Sequence, residues 1–142
     1  MKIITHSEKE TIALAKKIAK KAKGGEVYAL SGELGAGKTV FARGFASGLG
    51  IKRNINSPTF VLMKIYPVRK HPAIRHLCHI DAYRLKSAKD LEAIGAADYL
   101  GRKDSVCLVE WPEKIKKLLP EKVNSLKLKH LAEDQREIVW KK

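Results

Sequence analysis

Apolar residues recur along this chain with two distinct periods, and the alternation between them sets out its elements. Leu14, Ala15, Ile18, Ala19 and Ala22 follow one another at three- and four-residue spacing, which predicts an amphipathic helix over 8–22. Ser7 and Glu10 form a capping box ahead of it, in which each side chain would satisfy an amide that a helix start leaves unpaired. Gly24-Gly25 ends the helix, and Val27–Leu30 is a short β-prone run. From Lys38 to about Leu49 the period is helical again, closed by Gly48 and Gly50. The stretches TFVLMKIY (59–66) and IRHLCHID (74–81) read as strands joined by a basic loop. Ser87 is expected to cap a helix over 88–100 that breaks near Gly95. SVCLVEW (105–111) is a near-continuous apolar run ending in an acid, the pattern of a strand buried on both faces. Two further strands are expected at 124–131 and 136–140. Strands and helices alternating around a buried strand predict an α/β fold with a mixed parallel and antiparallel central sheet. At 142 residues, residues 1–142 are expected to form a single domain.

Between the first predicted strand and the second helix lies SGELGAGKT, residues 31–39. Gly32-Glu33-Leu34-Gly35-Ala36-Gly37-Lys38-Thr39 fits the phosphate-loop pattern G-x-x-x-x-G-K-[ST], and its setting of strand before and helix after fits as well. Each residue type has a reason. Glycines let the backbone curl so that successive N–H groups converge on phosphate oxygens. The helix beginning near Lys38 adds the positive end of its dipole at the same point. Lys38 can reach the β- and γ-phosphates, and the Thr39 hydroxyl can ligate Mg²⁺. The expected fold is therefore a three-layer one of the P-loop NTPase type.

A phosphate-bound Mg²⁺ needs acidic help from the end of a neighbouring strand. LCHID ends in Asp81 and VCLVE in Glu110, each an apolar run followed by an acid, as at the carboxyl edge of an open sheet. Either would otherwise be a surface acid at a strand end. His79 precedes Asp81 by two and leaves the strand on the same face. A packed or hydrogen-bonded histidine is the simpler reading of it than a catalytic base. Trp111 either stacks on a nucleotide or caps the core. In NSPTF (56–60), Pro58 stiffens the turn so that Ser57 or Thr59 can face a γ-phosphate; the plain alternative is a turn leading into a strand. No Asn-Lys-x-Asp motif for reading guanine occurs, and no nucleophile–base arrangement stands out.

Composition narrows the picture further. Lys and Arg number 29 against 15 acidic residues, a net charge of +14, which favours polyanionic partners such as RNA, directly or through a complex. Part of that excess is a solvated helical face (Lys16, Lys17, Lys20, Lys21, Lys23), while PVRKHPAIRH (67–76) is a denser loop patch. Cys78 and Cys107 lie in separate apolar runs, as buried strand residues rather than a metal or redox pair. That usage, with no signal-peptide core at the start and no membrane-length apolar run, leads to an expectation of a cytoplasmic protein.

The ordered set GELGAGKT, SPTF, HIDAYR and LVEW resembles the TsaE (YjeE) family, small bacterial ATPases, from about Ser7 to Arg136. The resemblance implies a part in making threonylcarbamoyladenosine at position 37 of tRNAs that read codons starting with A. In that family the ATPase binds a complex of TsaD, which carries the transferase site, and TsaB, and its ATP cycle supports turnover; tRNA is then reached indirectly. Carried over, Lys38 and Thr39 keep phosphate and Mg²⁺ roles, with Glu33, Leu34, Gly35, Ala36, Gly37 and Val40 completing the loop. Thr59 would sit near the γ-phosphate, Asp81 near the metal's water shell, and Glu110 would act on Mg²⁺ or the attacking water. Glu8, Trp111 and Arg136 match positions bordering the nucleotide, although the family tail often reads Gly-Arg where this chain has Gln135-Arg136. ATP and ADP with Mg²⁺ are the implied ligands.

No arginine finger is evident in cis; Arg43 and Arg84 are candidates, or a partner supplies one, so slow hydrolysis by the isolated chain is expected. Two other classes compete: a small P-loop kinase, for which the chain leaves little room for a lid and acceptor pocket, and a non-catalytic nucleotide-dependent module that binds RNA or protein.

Overall fold

Ser7 starts helix α1 (Glu8–Lys20) as an N-cap, its Oγ accepting the Glu10 N–H at 3.1 Å. The Glu10 carboxylate reaches back one residue further than a capping box requires and accepts from the His6 N–H at 2.6 Å. Thr11 of α1 is buried and shares a 2.7 Å hydrogen bond with Thr5, which fastens the helix to strand β1 (Lys2–Thr5). In this computed structural model, residues 1–52, 55, 63–86, 89–93 and 95–142 are described, without the side chains of residues 91 and 93.

The remaining elements are β2 (Val27–Ser31), α2 (Lys38–Gly48), β3 (Met63–Pro67), β4 (His76–Asp81), α3 (Lys89–Ala93), β5 (Ser105–Glu110), β6 (Asn124–His130) and β7 (Arg136–Lys141). Their sheet runs β1-β7-β6-β2-β5-β4-β3. The four central strands β6, β2, β5 and β4 are mutually parallel, and the outer pairings are antiparallel, giving the mixed sheet expected. Strand β1 is absent from the sequence expectation, because four residues on a sheet edge carry too little alternation to register. The helical stretch expected over 88–100 breaks at Gly95 as expected, at φ +80°, but its two parts are short: α3 before it and a 3₁₀ turn at Ala96–Asp98 after it. The expected Ser87 cap lies outside the described residues.

One face of the sheet carries α1 and α2. Tyr28, Leu30, Leu77, Val106, Leu108, Leu126 and Leu128 meet Ile18, Phe41 and Phe45 there. A Cβ on Gly44 would stand 2.7 Å from the Ile12 carbonyl oxygen, so the two helices touch backbone to backbone. The other face packs Val27, Cys78, Ile80, Cys107 and Val109 under Ala82, Leu85, Ala96 and Ile115. All six residues of β5 are buried, as its unbroken apolar pattern demands. Cys78 and Cys107 are free and buried, and strand register sets them side by side.

Register also fixes what lies at the carboxyl edge. Glu110 pairs with Leu30 of β2 on one side and with Asp81 of β4 on the other. The loop leaving β2 and both strand-end acids therefore share the edge where open α/β sheets take their ligands.

Candidate functional site

Residues 32–37 join β2 to α2 through a backbone that only glycine fits at three points. Gly32, Gly35 and Gly37 have φ of +146°, +82° and +101°. A Cβ at Gly32 would come within 2.4 Å of the Leu128 carbonyl oxygen, and one at Gly37 within 3.2 Å of Arg136 Nε. At Gly35 space is open and the dihedral alone sets the requirement. The loop closes with the Ala36 N–H donating to Glu33 O at 3.0 Å, and α2 begins with Phe41 N–H to Gly37 O at 2.9 Å. The amides ahead of that bond are the ones a helix start offers to an anion. Glu33, Leu34 and Gly35 are exposed at the loop's crest; Thr39 and Val40 are half-buried on the first turn of α2.

Lys38 is nearly buried behind this loop. Its ammonium donates to the Gly32 carbonyl and stands 3.8 Å from the centroid of the Trp111 ring. Burial lowers its pKa, while the nearby charges of Glu110, Asp81 and Glu113 oppose that shift. Trp111 itself has φ +59°, a left-handed conformation rare in a bulky residue, and precedes Pro112. Tyr83 packs on it with ring centroids 5.0 Å apart.

The two acids differ in setting. Glu110 is buried, and its Oε2 lies 2.7 Å from Nε2 of the fully buried His79. Asp81 is half-buried and accepts the Tyr83 N–H at 3.0 Å. Burial raises its pKa first of all, and Glu110 pushes the same way; the Tyr83 amide, His79 and Lys38 pull it back. Lys38, Glu110, Asp81 and Trp111 thus converge on one spot, as the sequence motifs imply. Arg136 joins them from β7, its side chain against Gly37 and its Nη1 donating to Glu133 O and Gln135 O, both at 3.1 Å.

Other expected residues stand apart. Glu8 is exposed in the first turn of α1. Arg43 is exposed on α2, lining a groove with Ser47, Lys52 and Lys70, and Arg84 is exposed three residues beyond Asp81. Ser57 and Thr59 lie outside the described residues. Sequence reasoning misses Tyr83, the backbone of Leu128 under Gly32, and the His79–Glu110 pairing. Tyr83 follows Asp81 by two within HIDAYR and carries the one usable signal; the others depend on strand order. Among the described residues, no group of three or more His, Cys, Asp or Glu side chains is placed to hold a metal by itself, and no helix is long and apolar enough to cross a membrane.

Comparison with known proteins gives the family and the fold. The family described as "Threonylcarbamoyl adenosine biosynthesis protein TsaE" matches residues 5–138. The chain is 42% identical over 136 residues to the tRNA threonylcarbamoyladenosine biosynthesis protein TsaE of Bacillus subtilis, covering 96% of this chain and 82% of that one. It is 38% identical over 138 residues to the protein of that name from Treponema pallidum, covering 97% and 98%. The fold matches the crystal structure of Bacillus subtilis YdiB with a TM-score of 0.78 at 39% identity, over 99% of this chain and 83% of that one. The chain belongs to the TsaE family of threonylcarbamoyl adenosine biosynthesis proteins, and its fold is the P-loop fold of that family.

Proposed function

We propose that this chain binds and hydrolyses Mg·ATP, releasing ADP, in support of N6-threonylcarbamoylation of adenosine 37 in tRNAs reading codons that begin with A. It does so with the TsaB–TsaD complex, meeting tRNA through that complex, as a single domain in the cytoplasm. One observation carries the reading furthest: Lys38 inside a glycine loop faces Glu110 and Asp81 at the ends of β5 and β4, with β5 directly beside the loop's own strand.

The residues present suit a nucleotide phosphate and its metal. The loop backbone turns at Gly32, Gly35 and Gly37, all at positive φ, the loop ends on a helix start, and Lys38 is buried behind it. Mg²⁺ keeps most of its waters and takes few protein ligands, which suits Thr39 with Glu110 and Asp81 nearby rather than a protein cage. When bound, Mg²⁺ would neutralise charge on the phosphate oxygens. Lys38 exchanges the Gly32 carbonyl for phosphate oxygens and holds them by a charge-assisted bond. Loop amides from 33 to 40 orient the phosphates. Glu110 accepts the proton of the attacking water, and Asp81 orders the solvent next to it. Trp111 and Arg136 border the nucleotide, and for Glu8 and Thr59 the same place rests on the family resemblance alone.

The test is the t6A content of tRNA in cells whose own copy is replaced by Lys38→Ala or Glu110→Gln. Loss of t6A in both supports the reading. Normal t6A with Lys38→Ala would overturn it.

A further inference from the structure

We infer that His79 is the positioning residue of the site: its Nε2–H fixes the carboxylate of Glu110 so that one oxygen is spoken for and the other is left for chemistry. This deepens the hydrolytic reading above and rests on it. The two side chains come from adjacent parallel strands 31 residues apart in sequence, and both are buried. Their 2.7 Å separation is that of a charge-assisted hydrogen bond. An ionised carboxylate only accepts, so the shared proton belongs on Nε2. His79 Nδ1 has no hydrogen-bond partner among the described residues. With the single ring proton on Nε2, Nδ1 is left as a lone pair and no N–H is orphaned in the core.

The arrangement matters because the strand neighbours of Glu110 offer its carboxylate no side-chain donor. Leu30 flanks it in β2, Asp81 in β4 carries like charge, and Lys38 acts on it through space while its ammonium donates to Gly32 and stands over Trp111. Without the imidazole donor, a buried carboxylate would turn toward whichever partner it could find. His79 therefore acts through Glu110 and touches no reacting atom.

Two variants and one spectrum test this on the full chain. His79→Phe keeps a ring but loses the donor. It is expected to lower kcat for Mg·ATP by about 10–100-fold, with Mg·ADP affinity little changed. His79→Gln places an amide N–H near the position of Nε2 and should restore most of the rate. Long-range ¹H–¹⁵N correlation of the His79 ring at neutral pH, without nucleotide, should show the Nε2–H tautomer, and Glu110→Ala should shift that proton's signal. An unchanged kcat in His79→Phe, equal losses in Phe and Gln, equal loss of nucleotide affinity, or an Nδ1–H ring would each overturn the inference. If the unaltered chain shows no hydrolysis under any condition, the hydrolytic reading fails instead. The ring spectrum then still decides whether His79 orients Glu110.

Discussion

The ammonium of Lys38 rests 3.8 Å from the centre of the Trp111 ring while donating to the carbonyl of Gly32. Ring face and carbonyl together replace the water that burial removes, and a desolvated cation–π contact is worth about 2 kcal/mol. Phosphate binding requires this lysine to change partners. Trp111 emission is therefore expected to shift on titration with Mg·ADP, and Lys38→Met should abolish the shift. Trp140 lines a different groove with Gly24, Gly25 and Asn124, donating to the Asn124 side chain at 3.2 Å, so Trp140→Phe isolates the signal without removing it. A shift that survives in Lys38→Met would separate the ring from the phosphate site.

Glu110→Gln removes the base proposed for hydrolysis while keeping an oxygen that accepts from His79. Hydrolysis should fall by about 10²-fold or more, with Mg·ADP affinity and thermal midpoint close to those of the parent. Single-turnover hydrolysis and calorimetric binding on the same preparations check this. Equal loss of binding and rate would mean that Glu110 acts on the bound nucleotide as a whole.

Asp81 is raised above the ordinary aspartate range by burial. Its folded form holds a proton more tightly than its unfolded form, so stability falls as pH rises from the unfolded pKa through the folded one. The cost of burying the charge is then fully present at neutral pH. Asp81→Asn removes that charge and can still accept the Tyr83 N–H. It is expected to melt above the parent at neutral pH, with the difference closing as acidification protonates Asp81 in both states. Thermal melts across an acidic-to-neutral series measure it, and a difference that widens toward acid would contradict the assignment.

Gly44→Ala improves helix propensity by about 1 kcal/mol, yet its methyl would press on the Ile12 carbonyl at 2.7 Å. Backbone cannot retreat as a side chain can, so a net loss of roughly 1–3 kcal/mol is expected from urea unfolding. Gly35→Ala meets no neighbour and should be destabilising through its φ of +82° alone. A gain in stability for Gly44→Ala would rule out the close approach of α1 and α2.

What the sequence made legible was whatever depends on local spacing. The loop glycines, the burial of β5, the Ser7 cap and the strand-end places of Asp81 and Glu110 all follow from residues close together in the chain. Strand order is not local, and the features that depend on it were hidden. His79 reaches Glu110 and Cys78 adjoins Cys107 only because β4 lies beside β5. Arg136 reaches Gly37 because β7, paired to β6, brings its first residue toward the loop. In the sequence its place beside the nucleotide rests on family resemblance alone. The stretch over 88–100 shows the expected break at Gly95, but only short helical pieces flank it. A helical period persists across Gly95, but its left-handed backbone starts a separate 3₁₀ turn.

The most direct test of the central claim is Mg·ATP hydrolysis by the purified chain, alone and with TsaB and TsaD, with Lys38→Ala as the blank. The expected result is a slow rate alone that rises about tenfold or more only with both partners, as when a missing catalytic group is supplied in trans. A rate above the blank that stays the same with and without them would leave the nucleotide site in place and contradict the partner-dependent cycle.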